Sequence, residues 1–272
     1  MRQKRSFFSL STMIFGYAFL YLPIVTLIVY SFNAGSHVTV WEGFSTKWYK
    51  ALVHNDAILD ATWLSLRIAF CAATFSVVIG VVGGFVLARY RRFKGRTFLN
   101  SLVTAPLVMP DVMTGLALLL MFVFMARELG WPLTRGGVTI ALGHITIAIA
   151  YVLVIVRTRL LEMDHHIEEA ALDLGARPFK VFMMITLPVI SPSIAAGWLL
   201  AFTLSLDDVI LASFLSGPGS TTLPMLIFSS VRFGVSPEIN ALASLIVCLV
   251  AIGVLISGMV MYRRLRLKKE KS

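Results

Sequence analysis

Six long apolar runs alternate with polar segments along this chain, near 10–32, 64–88, 98–126, 138–157, 189–215 and 239–262. Crossing a bilayer takes about 20 predominantly apolar residues in a helix. Each run meets that length, so the pattern predicts an all-α polytopic membrane protein with six transmembrane helices. The first run follows a short basic segment. It is longer than the apolar core of a signal peptide and no small-x-small cleavage site follows it, so it is expected to be a retained first helix. Prolines and glycines interrupt the third and fifth runs, as they do in broken or gating helices.

Composition agrees with the pattern. Of 272 residues, 58% are hydrophobic and 14% charged, against roughly 25% charged in soluble domains. The formal charge of +10 gathers at the ends of the apolar runs. Arg2, Lys4 and Arg5 precede the first run, Arg89, Arg91, Arg92, Lys94 and Arg96 follow the second, and Arg263, Arg264, Arg266, Lys268, Lys269 and Lys271 follow the last. Such placement anchors cytoplasmic loops and gives no basic face for nucleic acid. With the N-terminus inside, Arg157, Arg159, Arg177 and Lys180 join these clusters, so that 18 of the 24 Lys and Arg residues lie on one side. Both termini are then cytoplasmic. The expected organisation is a cytoplasmic N-terminus at 1–9, a transmembrane domain over 10–262 that includes the cytoplasmic loop 158–188, and a basic tail at 263–272. Cys71 and Cys248 both sit inside apolar runs and suit neither a metal site nor a disulfide framework.

Loop 158–188 is unlike an ordinary connector. Met163, Ile167, Ala170, Ala171 and Leu174 recur at helical spacing, and Glu168, Glu169 and Asp173 fall largely on the other side. Asp164 is placed to cap a helix start, Gly175 to end the helix in a left-handed conformation, and Pro178 to open a second short helix. Pro188 and Pro192 mark the start of the fifth span. A helix lying on anionic lipid favours basic residues. The acidic face of this one suits a protein partner.

The residues Glu169, Ala170, Ala171, Gly175, Ile185, Leu187 and Pro188 resemble the EAA-x3-G-x9-I-x-L-P loop of permease subunits of bacterial ATP-binding-cassette importers. The resemblance implies the type I importer permease architecture. It also implies that 164–188 is a coupling segment seated on a separate ATPase through Glu168, Glu169, Ala170, Ala171, Asp173, Gly175 and Pro188. The chain itself has no G-x-x-x-x-G-K-[ST] loop. No cofactor is expected in it, and ATP and Mg would be bound by the partner. It is expected to be a transport subunit and not an enzyme. No nucleophile–base set or metal-ligand cluster stands out.

Three acids lie inside apolar runs: Asp111 in the third, Asp207 and Asp208 in the fifth. A central Asp costs about 2.5–3.5 kcal/mol on insertion scales, so each should face a cavity or a partner. No Lys or Arg is central in any span, so an internal ion pair is not evident, and acid-lined passage favours a cationic solute. Helix capping is the alternative for all three. Neighbours on a helix diverge by about 100°, so Asp207 and Asp208 share a direction only if the helix unwinds. Thr203 and Ser205 extend the polar stripe. His144 reads as a packing residue. Trp48, with Trp41 and Tyr49, forms an interfacial belt or offers an aromatic face to an ammonium group.

WEGFSTKWYKAL at 41–52, SLDDVILASFLSGPGSTTLP at 205–224 and VRFGVSPEINALASL at 231–245 resemble the spermidine/putrescine permeases. That resemblance implies a polyamine solute with putrescine favoured and an inner-membrane location. The implied partners are a homologous second permease subunit in a heterodimer, two ATPase subunits, a periplasmic polyamine-binding protein and membrane lipid. The rivals are a proton-coupled secondary transporter, an importer permease for a different solute, and a purely structural membrane subunit.

Overall fold

The computed structural model describes residues 7–37, 40–90, 92–233 and 237–269. Arg2, Lys4, Arg5, Arg91 and Lys271 lie outside the described residues, as do the side chains of most of the basic tail. The helices are α1 (Phe7–Tyr30), α2 (Lys47–Val53), α3 (Asp56–Arg89), α4 (Arg96–Val108), α5 (Asp111–Leu129), α6 (Gly137–Glu162), α7 (His166–Asp173), α8 (Pro178–Val181), α9 (Leu187–Asp207), α10 (Ile210–Leu215), α11 (Leu223–Phe233) and α12 (Pro237–Lys269). A π-helical turn, Phe182–Thr186, joins α8 to α9. No strand occurs among the described residues, only an isolated bridge between Asn33 and Phe44.

Five helical runs among the described residues are long and apolar enough to cross a membrane: most of α1, then α3, α5, α6 and the continuous run Pro178–Asp207. The sixth expected span falls on α12, whose apolar part is described over Pro237–Ile252. The boundaries differ from the apolar pattern where proline and aspartate intervene. The third run is two helices and not one. Pro110 forces Met109 into an extended conformation (φ −75°, ψ 138°), which ends α4, and α5 restarts at Asp111. The fifth run ends at Asp207 and resumes as α10. The second short helix expected at Pro178 is not a separate element. It runs through the π-helical turn straight into α9.

The chain divides into two compact units, Met1–Leu59 with Ser229–Ser272, and Asp60–Phe228. In the first, α12 packs against α1 and α2. Buried Asn33 organises the loop after α1. Its Oδ1 accepts from the Glu42 N–H at 2.8 Å and the Gly35 N–H at 3.2 Å, and its Nδ2 donates to Val40 O at 2.6 Å. Asn55 Nδ2 donates to Glu238 Oε2 at 2.7 Å, which ties this region to α12.

The second unit is built on close helix approach. One buried cluster joins α3, α6 and α9 through Ala73, Val81, Val152, Val156, Leu160, Ile190 and Ala201. A second joins α5, α6 and α10 through Phe122, Ile140, Leu211 and Leu215. Apolar association is weak between helices immersed in lipid, so small residues that allow backbone contact carry the packing. A Cβ at Gly84 of α3 would lie 3.1 Å from Val156 Cγ1 and 3.2 Å from the Leu153 carbonyl oxygen on α6. Gly84→Ile is therefore expected to destabilise the fold by roughly 1–3 kcal/mol through overpacking. Gly16→Ala, where nothing lies within 4 Å, should be silent. Thermal melting of the purified protein in detergent checks the pair.

Candidate solute cavity and the surface of loop 158–188

The break in the fifth run builds one site. Asp208 has extended backbone (φ −71°, ψ 125°), and this unwinding turns two consecutive acids to different tasks. The Asp208 carboxylate caps α10, accepting from the Ala212 N–H at 2.8 Å and the Leu211 N–H at 3.3 Å. His144 of α6 stands on its other side, with Nε2 3.2 Å from Oδ2. His144 Nδ1 lies 2.6 Å from Ser205 Oγ. His144 Nε2–H donates to Asp208, and Nδ1 shares a hydrogen with the Ser205 hydroxyl. Asp208 and Ser205 are thus committed to structure.

Asp207 is not. Its side chain is exposed on a cavity of about 400 Å³ whose lining also includes Asp111, His144, Tyr151, Ser205 and Asp208. Asp111 is the acidic residue of the first turn of α5, whose N-cap is Pro110. Among the described residues, neither Asp111 nor Asp207 has a Lys or Arg within ion-pair distance.

The structure therefore brings together four of the expected pathway residues, Asp111, Ser205, Asp207 and Asp208. Two others are not among the cavity's lining residues. Thr203 bonds back to the Leu199 carbonyl at 2.8 Å and does not line the cavity. Trp48 donates from Nε1 to Asn33 O at 2.8 Å, and Lys47 Nζ already covers its ring at 4.6 Å. A face occupied by a lysine is a poor host for a second cation. Sequence reading missed the His144–Asp208 contact and Tyr151. Both residues lie on one face of α6, since positions 144 and 151 are two helical turns apart.

Loop 158–188 holds the second surface. Asp164 Oδ1 accepts from the His166 N–H at 3.0 Å at the start of α7. Gly175 has φ +83°, and Pro178 occupies the first turn of α8. The amphipathic expectation holds here only in part: Met163 is buried and Glu169 and Asp173 are exposed, but Glu168 and the apolar residues of α7 exchange places. Ile167, Leu172 and Leu174 are exposed, Leu174 by 88%, and Phe179 of α8 by 72%. Glu168 is the buried side chain of α7. Its Oε2 lies 2.7 Å from Nε of Arg89 on α3, and its Oε1 accepts from the Thr186 hydroxyl at 2.6 Å. Glu168 thus faces inward and leaves Glu169 and Asp173 on the outside. An eight-residue helix has little intrinsic stability, so this one polar anchor sets its rotation and the apolar spacing does not.

Burial raises the Glu168 carboxyl, but the Thr186 hydrogen bond, the Arg89 guanidinium 2.7 Å away and His165 outweigh it, and its pKa lies below the ordinary value. Because the folded pKa is depressed, the ionised group adds stability that is present above the ordinary carboxylate pKa. That stability is lost as pH falls through the lowered value.

Residues 80–269 match the family described as binding-protein-dependent transport system inner membrane component. The chain belongs to that family of permease subunits. It is 56% identical over 248 residues to the putrescine transport system permease protein PotI of Escherichia coli K12, covering 91% of this chain and 88% of that one. It is 42% identical over 245 residues to the spermidine/putrescine transport system permease protein PotC of the same organism, covering 90% of each. Among solved structures, it superposes on a bacterial ABC transporter for the acidic polysaccharide alginate with TM-score 0.71 and 17% identity, covering 96% of this chain and 97% of that one. It superposes on the MetNI methionine ABC transporter with TM-score 0.56 and 17% identity, covering 76% and 94%. These likenesses confirm the all-α importer permease fold.

Proposed function

We propose that this chain forms half of the solute pathway of an ATP-driven, binding-protein-dependent importer, paired with a homologous permease chain, and that the solute is a polyamine, with putrescine favoured. The observation that carries the solute class is the cavity with two carboxylates, Asp111 and Asp207, that no cationic side chain among the described residues compensates. Each such acid costs about 2.5–3.5 kcal/mol in an apolar span. A diammonium solute supplies both missing charges at once, which an anion or a sugar does not. The likeness to the putrescine and spermidine/putrescine permeases supports the same class.

The energy comes from outside the chain. ATP and Mg are bound by two partner ATPase subunits, and a periplasmic polyamine-binding protein delivers the solute. The exposed apolar residues Leu174 and Phe179 with half-exposed Glu169 form the ATPase-docking surface. The Lys and Arg asymmetry supports a cytoplasmic position for both termini and loop 158–188.

The test is uptake of labelled putrescine by vesicles holding the full complex. Uptake is expected to require ATP inside and to survive a protonophore. It should be competed by unlabelled spermidine and not by an anionic sugar. Uptake that collapses with the proton gradient while ATP remains would select a secondary transporter instead, and competition by anions or neutral sugars would reject the polyamine.

A further inference from the structure

The Glu168 carboxylate is a junction of four elements. It rises from α7 and meets Arg89 at the end of α3 and Thr186 in the π-helical turn that opens α9. Arg89 continues the link, donating from Nη1 to Leu160 O on α6 at 3.0 Å. His165 Nδ1 closes the outer side at 3.0 Å from Oε2. Thr186 and Leu160 are 1% and 0% exposed and Glu168 5%. The remaining described side chains of α7 are exposed or half-buried.

We propose that the Arg89–Glu168–Thr186 cluster is the transmission joint of this permease, through which displacement of α7 by the ATPase is passed to α3, α6 and α9. Glu168, Arg89 and Thr186 are then positioning residues, since none of them faces the ATPase or the solute. The proposal rests on the docking role assigned above to the outer face of α7.

The physical case has two parts. A load applied to a short helix can only travel along its fixed contacts, and flexible apolar contacts yield before a short, buried, charge-assisted pair does. The π-helical turn is the second part. Wide turns of this kind recur at functional sites, and this one presents Thr186 to the carboxylate at the point where a span begins. A pull on Glu168 therefore reaches α9 at its first turn, 21 residues before Asp207 on the solute cavity. A role in folding alone predicts that stability and coupling fall and recover together. A joint predicts that they separate.

The experiment uses the full complex in nanodiscs, with two readouts: melting temperature, and the ratio of ATPase activity with binding protein and putrescine to activity without. Glu168→Gln and Arg89→Gln each leave one buried charge unpaired, and each is expected to lower the melting temperature and to reduce stimulation at least fivefold. The double variant Arg89→Gln/Glu168→Gln leaves no orphan charge. It is expected to recover the melting temperature but not the stimulation. Recovery of both in the double variant, or wild-type stimulation in the single variants, overturns the proposal. Thr186→Val, which keeps the ion pair and removes one arm, should lower stimulation at least threefold even if the charge variants fail to assemble, and full stimulation in that variant also overturns it. Failure of the underlying reading looks different, because the wild-type complex would then show no stimulation at all.

Discussion

Asp207→Asn is expected to abolish most putrescine uptake while leaving melting temperature and subunit assembly unchanged. The asymmetry follows from the break after α9. Asp207 takes no hydrogen bond from another described side chain and lies open on the cavity, so neutralising it removes nothing that holds the fold. A charge-assisted hydrogen bond to an ammonium contributes about 1.5–3 kcal/mol, and its loss corresponds to roughly 10- to 150-fold weaker uptake at low solute. Asp208 behaves otherwise. Its carboxylate satisfies two orphan N–H groups of α10 and the imidazole of His144. Asp208→Ala should cost about 0.5–2 kcal/mol as a lost helix cap and lower the melting temperature first. Uptake assays and melting curves on the two variants side by side separate passage from architecture. Wild-type uptake by Asp207→Asn would remove that carboxylate from the pathway.

Leu174→Asp is expected to detach the ATPase subunits without disturbing the membrane portion. Leu174 is 88% exposed beside Gly175, and Phe179, exposed by 72%, follows after the turn. Burying a leucine of that size against a partner contributes about 1.5–3 kcal/mol, so its replacement by a charged residue should weaken ATPase association by at least roughly 10- to 150-fold. The permease pair should still co-purify. Glu169→Lys acts at the same surface by reversing charge. Its carboxylate is half-exposed and engages His165 and His166 at 3.5 and 3.2 Å, contacts on a solvated surface that contribute little to stability. Stoichiometric pull-down of tagged complex measures both variants, and full retention of the ATPase in both would move the docking surface elsewhere.

Much of this was open to a reader of the sequence. The apolar runs determine that the chain is helical and spans a membrane, because an apolar segment of that length has no other stable partner than lipid. The turn chemistry of Gly175 and Pro178 determines where loop 158–188 bends, because only glycine adopts a positive φ without strain and proline at a helix start forfeits no hydrogen bond. The spacing of the motif from Glu169 to Pro188 identifies the family. Those are local properties, written in neighbouring residues.

Direction was decided elsewhere. Which of two adjacent aspartates is free depends on His144, which is 64 residues distant from Asp208 and arrives only when α6 packs beside the break. That Glu168 of α7 faces inward depends on Arg89 and Thr186, which capture it from the ends of two other elements against the amphipathic pattern. A carboxylate in an apolar setting goes wherever a donor waits, and donors are placed by packing between distant segments. The sequence alone determined what this chain is and where it bends; only the tertiary structure decided which acids the fold holds and which lie open on the cavity.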